Sequence, residues 1–299
     1  MYKRQNEAPI SSSYSFNRLL KLSAFLAVSG ASVTIYSLLD KLMLGYFEGA
    51  KSVGIYSMAR NLVETSLFPT FALIMTLRPA MAGAYTSGDV GRCSYLVTRS
   101  IRSSIVYASF VIVVFFLLSE QIVTGLFGER FIGSAHLLVL FLPLILMRGI
   151  GTVILPGLIA ADRAHIYALL TLMGAILNFS FNMAFIPRWG ADGAVIATLS
   201  SYLPMEVVGL VALARTIPSF WKLKETVLIV SVTGISSLLI FLYEKLVPEP
   251  DGLIMTIIYS VVIVFILFFL YMLLRLVSRE EALSMIRPLM SRGIDERKV

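Results

Sequence analysis

The sequence is poor in most of what a soluble enzyme uses. Of its 299 residues one is a cysteine, Cys93, so no internal disulfide can form and no metal cluster can be built on sulfur. The two histidines, His136 and His165, stand far apart in the chain. Charged residues make up 14% of the whole, against about a quarter in an ordinary globular domain, and that is too little charge to cover a soluble surface. No stretch sets a nucleophile beside a base, places paired carboxylates in a loop, or offers a glycine-rich phosphate loop. The connections between apolar segments are too short to carry an external active site. The expectation is a protein that is not an enzyme and binds neither metal nor cofactor.

What the chain has in excess is apolar length. Hydrophobic residues reach 58% and the mean hydropathy is +0.85. Apolar segments stand out at 19–46, 53–77, 102–119, 134–159, 164–186, 191–214, 226–243 and 253–274, and crossing a bilayer takes about 20 helical residues. The first, second and fourth are long enough to imply tilt or helix beyond the bilayer. They are too long for strands and do not alternate, and a helical bundle satisfies the backbone in lipid. The fold class expected is all-α, a polytopic membrane bundle of about eight transmembrane helices.

The start, MYKRQNEAPISSSYS, is basic and polar with no apolar stretch directly behind it, so it reads as a tail rather than a signal peptide. Its first five residues resemble a translated sequencing adapter, which leads us to expect that the natural gene begins further upstream. Lys and Arg set the orientation. With both ends cytoplasmic, the outer loops hold only Lys51, Arg130, Arg188 and Lys245, while Arg92, Arg99, Arg102, Arg163, Arg215, Lys222, Lys224 and the basic carboxy-terminal tail fall inside. The net charge of +7 thereby follows from topology and implies no nucleic acid. The expected divisions are a polar cytoplasmic tail at 1–18, a six-helix lobe at 19–215, a terminal helix pair at 216–274 and a basic tail at 275–299.

Ionisable residues inside the spans each cost about 2.5–3.5 kcal/mol at the centre of an isolated helix, so each needs a partner or a wet cavity. Arg78, beside Pro79 at the inner end of the second span, can snorkel to the headgroups. Ser29, Ser32, Tyr36 and Asp40 recur at helical spacing and form a polar stripe that faces protein or water, whereas Lys41 points about 100° away. Arg60 and Glu64, four apart, can pair on one helical face, about 12–18 Å below the outer end at ~1.5 Å per residue. Arg148 lies midway through the fourth span between Pro143 and Pro156, with Gly149 and Gly151 alongside, so a kinked, closely packed helix is expected there. Glu206, two residues after Pro204, is placed in the sixth span. Arg148, Arg60 and Lys41 are the candidates for a substrate cavity. Asp40, Glu64 and Glu206 are candidates for coupling carboxylates or counter-charges. Asn178 and Asn182, again four apart, are read as bridging helices. The aromatics are assigned to packing and interfacial belts.

Three stretches carry a family resemblance. LLDKLMLGYFEGAKSVGIYSMARNLVE resembles the junction of the seventh and eighth helices of polysaccharide flippases, LFGERFIGSAHLLVLFLP their ninth-to-tenth connection, and LNFSFNMAFIPRWGADGAVIATLSSY their eleventh-to-twelfth hairpin. These are the Wzx-type, lipid-linked oligosaccharide flippases of the multidrug/oligosaccharidyl-lipid/polysaccharide exporter superfamily, and the resemblance covers about 19–215. It implies the second of two six-helix lobes around a central cavity, with the terminal pair of fourteen-helix members behind it. The function it implies is to move an undecaprenyl-diphosphate-linked oligosaccharide across the bacterial or archaeal cytoplasmic membrane by alternating access, for polysaccharide or O-antigen synthesis. The partners implied are that lipid-linked substrate, membrane lipid and other polysaccharide-assembly membrane proteins. A diphosphate needs arginine or lysine to offset its charge, and Arg148, Arg60 and Lys41 are the residues to supply it.

Other readings stand beside this one. A drug or organic-cation antiporter of the same superfamily would want a net acidic cavity. A membrane-embedded polymerase or glycosyltransferase would want a long catalytic loop. A non-transporting subunit would pair with a separately encoded lobe, and a lone second lobe would not be expected to transport, because half a cavity leaves its charges facing lipid.

Overall fold

The computed structural model describes residues 16–217, which are helical apart from short connections. Most of the amino-terminal tail, the apolar segments at 226–243 and 253–274 and the basic tail at 275–299 lie outside the described residues. Among the described residues, five helical stretches are long and apolar enough to cross a membrane. Large apolar side chains such as Leu42, Phe68, Leu169 and Met183 stay exposed on their outer faces, as lipid-facing residues do.

Prolines mark the breaks in the second and fourth apolar segments. Helix α1 (Phe16–Glu48) is unbroken and takes in the last three residues expected in the tail. The second stretch divides into α2 (Ala50–Ser66) and α3 (Phe68–Thr86), with Leu67 between them. Pro69 lacks the N–H that would continue the ladder to Thr65, so the chain tightens at Leu67, whose N–H reaches Glu64 at 3.2 Å instead. Helix α4 (Val90–Phe127) is much longer than its apolar centre at 102–119. Its first turns carry Arg92, Arg99 and Arg102, which an apolar window excludes but a helix tolerates, and the Asp89 carboxylate caps it by accepting from the Arg92 N–H at 2.9 Å.

After a 3₁₀ turn at Glu129–Phe131, the fourth apolar segment forms three short helices, α5 (Gly133–Leu140), α6 (Leu142–Gly151) and α7 (Ile154–Ala160). Pro143 sits in the first turn of α6, where its missing donor costs nothing. Pro156 stands in α7 just beyond the break at Thr152 and Val153.

Helix α8 (Ala164–Thr216) runs for 53 residues with one interruption, Gly190 at φ +55° and ψ −128°. That backbone is open to glycine and strained for other residues, and it turns the helix into a hairpin. The proof lies in Asp40, which accepts hydrogen bonds from Asn182 at 2.7 Å and Thr198 at 3.0 Å. In a straight helix those two residues would stand about 24 Å apart at ~1.5 Å per residue. The two arms, 164–189 and 191–216, therefore lie side by side, closely enough that a side chain at Gly193 would overlap the Phe185 carbonyl. A Cβ at Gly174 would come within 3.0 Å of the Met205 sulfur, lower down the same pair.

The bundle has two main apolar clusters. One, around Tyr56, Leu138, Phe141, Ile145, Ile186 and Val195, joins α1, α2, α5, α6 and the turn end of α8. The other, around Ile74, Met81, Ile101, Ile105, Val153 and Leu213, joins α3, α4 and the open end of α8. The polar residues of the spans meet against the first cluster.

Candidate functional site

The site grows out of the polar stripe on α1. Ser29, Ser32, Tyr36 and Asp40 are all buried, so this face of α1 is turned towards protein. Ser29 satisfies itself locally by donating to the Phe25 carbonyl at 2.8 Å. Asp40, with no exposed surface, collects donors from three other segments. Its Oδ2 accepts from the Tyr56 hydroxyl at 2.7 Å, from Arg60 Nη1 and from the Thr198 hydroxyl, while its Oδ1 accepts from Asn182 Nδ2. Asn182 Nδ2 also donates to Asn178 Oδ1 at 3.0 Å. Taking a carboxylate and a guanidinium out of water costs several kcal/mol each, and this many directed hydrogen bonds is what such burial requires. Asp40 thereby ties α1, α2 and both arms of α8 at one point.

A second, looser set of contacts leads away from Arg60. Its Nε lies 3.7 Å from Glu64 Oε1, and Glu64 Oε2 lies 3.6 Å from Arg148 Nη2 on α6. Arg148 Nη1 in turn donates to the Tyr202 hydroxyl on the second arm of α8. The Arg148 guanidinium also sits 5.4 Å from the Tyr202 ring centre and 5.8 Å from that of Phe71, within cation–π range. Asp40, Arg60, Glu64, Arg148 and Tyr202 thus form a continuous chain of opposite charges and donors across the bundle.

Two chambers open on this chain. The larger, about 300 Å³, is lined by Ser37, Lys41, Arg60, Asn61, Glu64 and Arg148 among others. The smaller, about 110 Å³, is lined by Arg148, Thr152, Tyr167 and Glu206. Tyr36, Arg148 and Tyr202 border both, and the two tyrosine rings meet edge-on at 5.2 Å. Glu206 is buried, and its Oε2 has no hydrogen-bond partner among the described residues. Its carboxylate lies where a Cβ at Gly151 would be, so the absence of a side chain at Gly151 makes the room it occupies.

The eight candidate site residues named from the sequence fall in or beside this region. Arg60, Lys41, Arg148 and Glu64 share the larger chamber, Glu206 faces the smaller one, and Asp40, Asn178 and Asn182 are sealed behind Arg60. Tyr56, Thr198 and Tyr202 carry hydrogen bonds that sequence reasoning does not assign. Tyr56 stands four residues before Arg60, and Thr198 mirrors Asn182 about Gly190, eight residues on either side, so the hairpin spacing is a usable signal. Among the described residues no group of three or more His, Cys, Asp or Glu could hold a metal ion.

Comparison with known proteins agrees with this architecture. A family model described as "Polysaccharide biosynthesis protein" matches residues 2–136. A probable low-salt glycan biosynthesis flippase of Haloferax volcanii, Agl15, is 24% identical over 209 residues, covering 69% of this chain and 43% of that protein. A probable flippase of the same organism, AglR, is 23% identical over 199 residues, covering 61% and 39%. The chain thus spans less than half the length of these relatives. Two solved structures share the fold at 16% identity, each covering 76% of this chain and 53% of the other. They are a transporter of the MOP superfamily from Pyrococcus furiosus, at TM-score 0.57, and an outward-facing multidrug resistance transporter of that superfamily, at 0.58. By family model over residues 2–136, by relatives and by fold, this multi-pass membrane protein is similar to polysaccharide-biosynthesis proteins, to probable flippases and to transporters of that superfamily.

Proposed function

We propose that the chain takes part in moving a lipid-linked oligosaccharide, carried on undecaprenyl diphosphate, across the cytoplasmic membrane during polysaccharide or O-antigen synthesis. The observation that carries this reading is the larger chamber, where Lys41, Arg60 and Arg148 converge and Glu64 is the single acid in the lining. A diphosphate headgroup crossing a low-dielectric interior needs such fixed positive charge, and arginine meets phosphate oxygens with paired, planar donors. Asp40, Tyr56 and Tyr202 hold the two guanidiniums from behind, so little ordering is left to be done on binding. The substrate enters from the cytoplasmic leaflet and leaves on the outer one by alternating access, with both chain termini on the cytoplasmic side. The work is transport rather than chemistry on the substrate, and the flippase relatives support that.

An organic-cation antiporter is the competing reading within the superfamily, and three cations against one acid in the larger chamber argue against it. Replacement of Arg148 by Ala in the complete protein, at normal protein levels, is expected to lower polysaccharide export at least tenfold. Undiminished export removes Arg148 from the cavity, and cationic-dye resistance on expression would instead favour the antiporter.

A further inference from the structure

The two arginines of the larger chamber are each pinned at one end and open at the other. Arg60 Nη1 is engaged by Asp40 and by the Tyr56 hydroxyl, and Arg148 Nη1 by Tyr202. Of the remaining nitrogens, Arg60 Nε and Arg148 Nη2 converge on the carboxylate of Glu64 at 3.7 and 3.6 Å. Both separations exceed the 2.7–2.9 Å of a charge-assisted hydrogen bond. The Glu64 side chain is also 38% exposed, unlike Asp40, which has none of its surface exposed. Glu64 is therefore held by charge and not by directed bonds, on the chamber wall, between two cations that come from different helices.

We propose that Glu64 is a tethered stand-in for the substrate's diphosphate, resident between Arg60 and Arg148 when the chamber is empty and displaced when a diphosphate binds. The inference rests on the reading in the preceding subsection and adds what happens at the same site between substrates. Two converging guanidiniums with no anion between them would be costly inside a membrane, and a carboxylate four residues along from Arg60 meets that need from within. A diphosphate brings more charge and more acceptor oxygens, so it wins the competition while bound. Glu64 swinging back then competes for the arginines and speeds release. Affinity is held down in exchange for turnover, as expected of a carrier that must let go of its cargo.

Equilibrium binding and stopped-flow dissociation on the full 299-residue chain in lipid nanodiscs test this, with farnesyl diphosphate and inorganic pyrophosphate as probes. Glu64→Gln is expected to bind about tenfold more tightly than the parent chain, with a correspondingly slower release. Glu64→Asp, too short to reach both arginines, is expected to fall between the two. A gain for both probes assigns the competition to the diphosphate group itself, and a gain for farnesyl diphosphate alone assigns it to the lipid headgroup. In an Arg148→Ala background the same Gln substitution is expected to bring a clearly smaller gain, because only the contact to Arg60 is left to release. Unchanged or weaker binding by Glu64→Gln overturns the inference, and so does an equal gain in the Arg148→Ala background, which would mark a general effect of removing charge. If the parent chain binds neither probe, the diphosphate reading itself fails; if it binds and Glu64→Gln matches it, only the present inference does.

Discussion

Asp40 and Arg60 form an enclosed ion pair between α1 and α2, with Asp40 wholly buried and Arg60 only 3% exposed. Tyr56, Thr198 and Asn182 complete the hydrogen bonding of the carboxylate. The charge of each partner is tolerable because the other is there. Asp40→Asn strands the guanidinium without a counter-charge, and a buried pair broken in this way costs about 3–5 kcal/mol. The expected outcome is a marked fall in folded yield and in the thermal unfolding midpoint in detergent. The double change Asp40→Leu with Arg60→Met removes both charges and is expected to recover part of that loss, the rest being the donors of Tyr56, Thr198 and Asn182 left without this acceptor. A single Asn variant as stable as the parent would mean that the pair is not fully enclosed.

Tyr202 holds Arg148 through its hydroxyl. Tyr202→Phe keeps the ring, and with it the edge contact to Tyr36, but frees one end of the guanidinium. A hydrogen bond to a charged group contributes about 1.5–3 kcal/mol, so farnesyl diphosphate binding is expected to weaken by about tenfold with the unfolding midpoint little changed. Loss of stability without loss of binding would place the hydroxyl in the scaffold rather than the chamber.

The α8 hairpin and α1 make opposite demands at two glycines. Gly193→Ala drives a methyl group into the Phe185 carbonyl of the facing arm, where backbone must move, and overpacking of this kind costs about 1–3 kcal/mol or more. Gly30→Ala on α1 meets nothing within 4 Å and is expected to be neutral or slightly stabilising, since alanine is the better helix former. Paired unfolding measurements should separate the two clearly, and equal midpoints would argue against close packing of the arms at the turn.

The contact between His136 on α5 and Asp192, two residues past the hairpin turn, spans 3.1 Å, yet both side chains are largely exposed, at 68% and 45%. Exposed pairs contribute little. His136→Ala is therefore expected to shift stability by no more than about 0.5 kcal/mol, at low and at high salt alike. A larger, salt-sensitive shift would show that this end of the bundle is more enclosed.

Much of the site can be read from spacing along single helices. Helical periodicity predicts that Ser29, Ser32, Tyr36 and Asp40 share a face, and the structure buries all four. Separation by four residues sets Glu64 within reach of Arg60 and Asn182 within reach of Asn178. The break in the fourth apolar segment follows from its prolines. What spacing cannot reveal is which faces meet. Asp40 and Thr198 are 158 positions apart, and nothing local to either marks the other as its partner. Spacing likewise leaves the aromatics as packing, because a tyrosine's hydroxyl declares a role only once an arginine is known to lie beside it.

Composition and apolar length by themselves determined that this chain is a helical membrane bundle, because lipid leaves the backbone no other way to satisfy its hydrogen bonds. They also determined which ionisable residues would have to be accounted for, since each carries a transfer cost that depends only on its type and depth. How those costs are met was decided by the tertiary structure alone. The reversal at Gly190 delivers Asn182 and Thr198 to the same carboxylate, and the packing of α2 against α6 sets Glu64 between two arginines. Charge interactions fall off with distance in space rather than along the chain, so the same residues become a sealed tie or an open cavity only when the helices are in place.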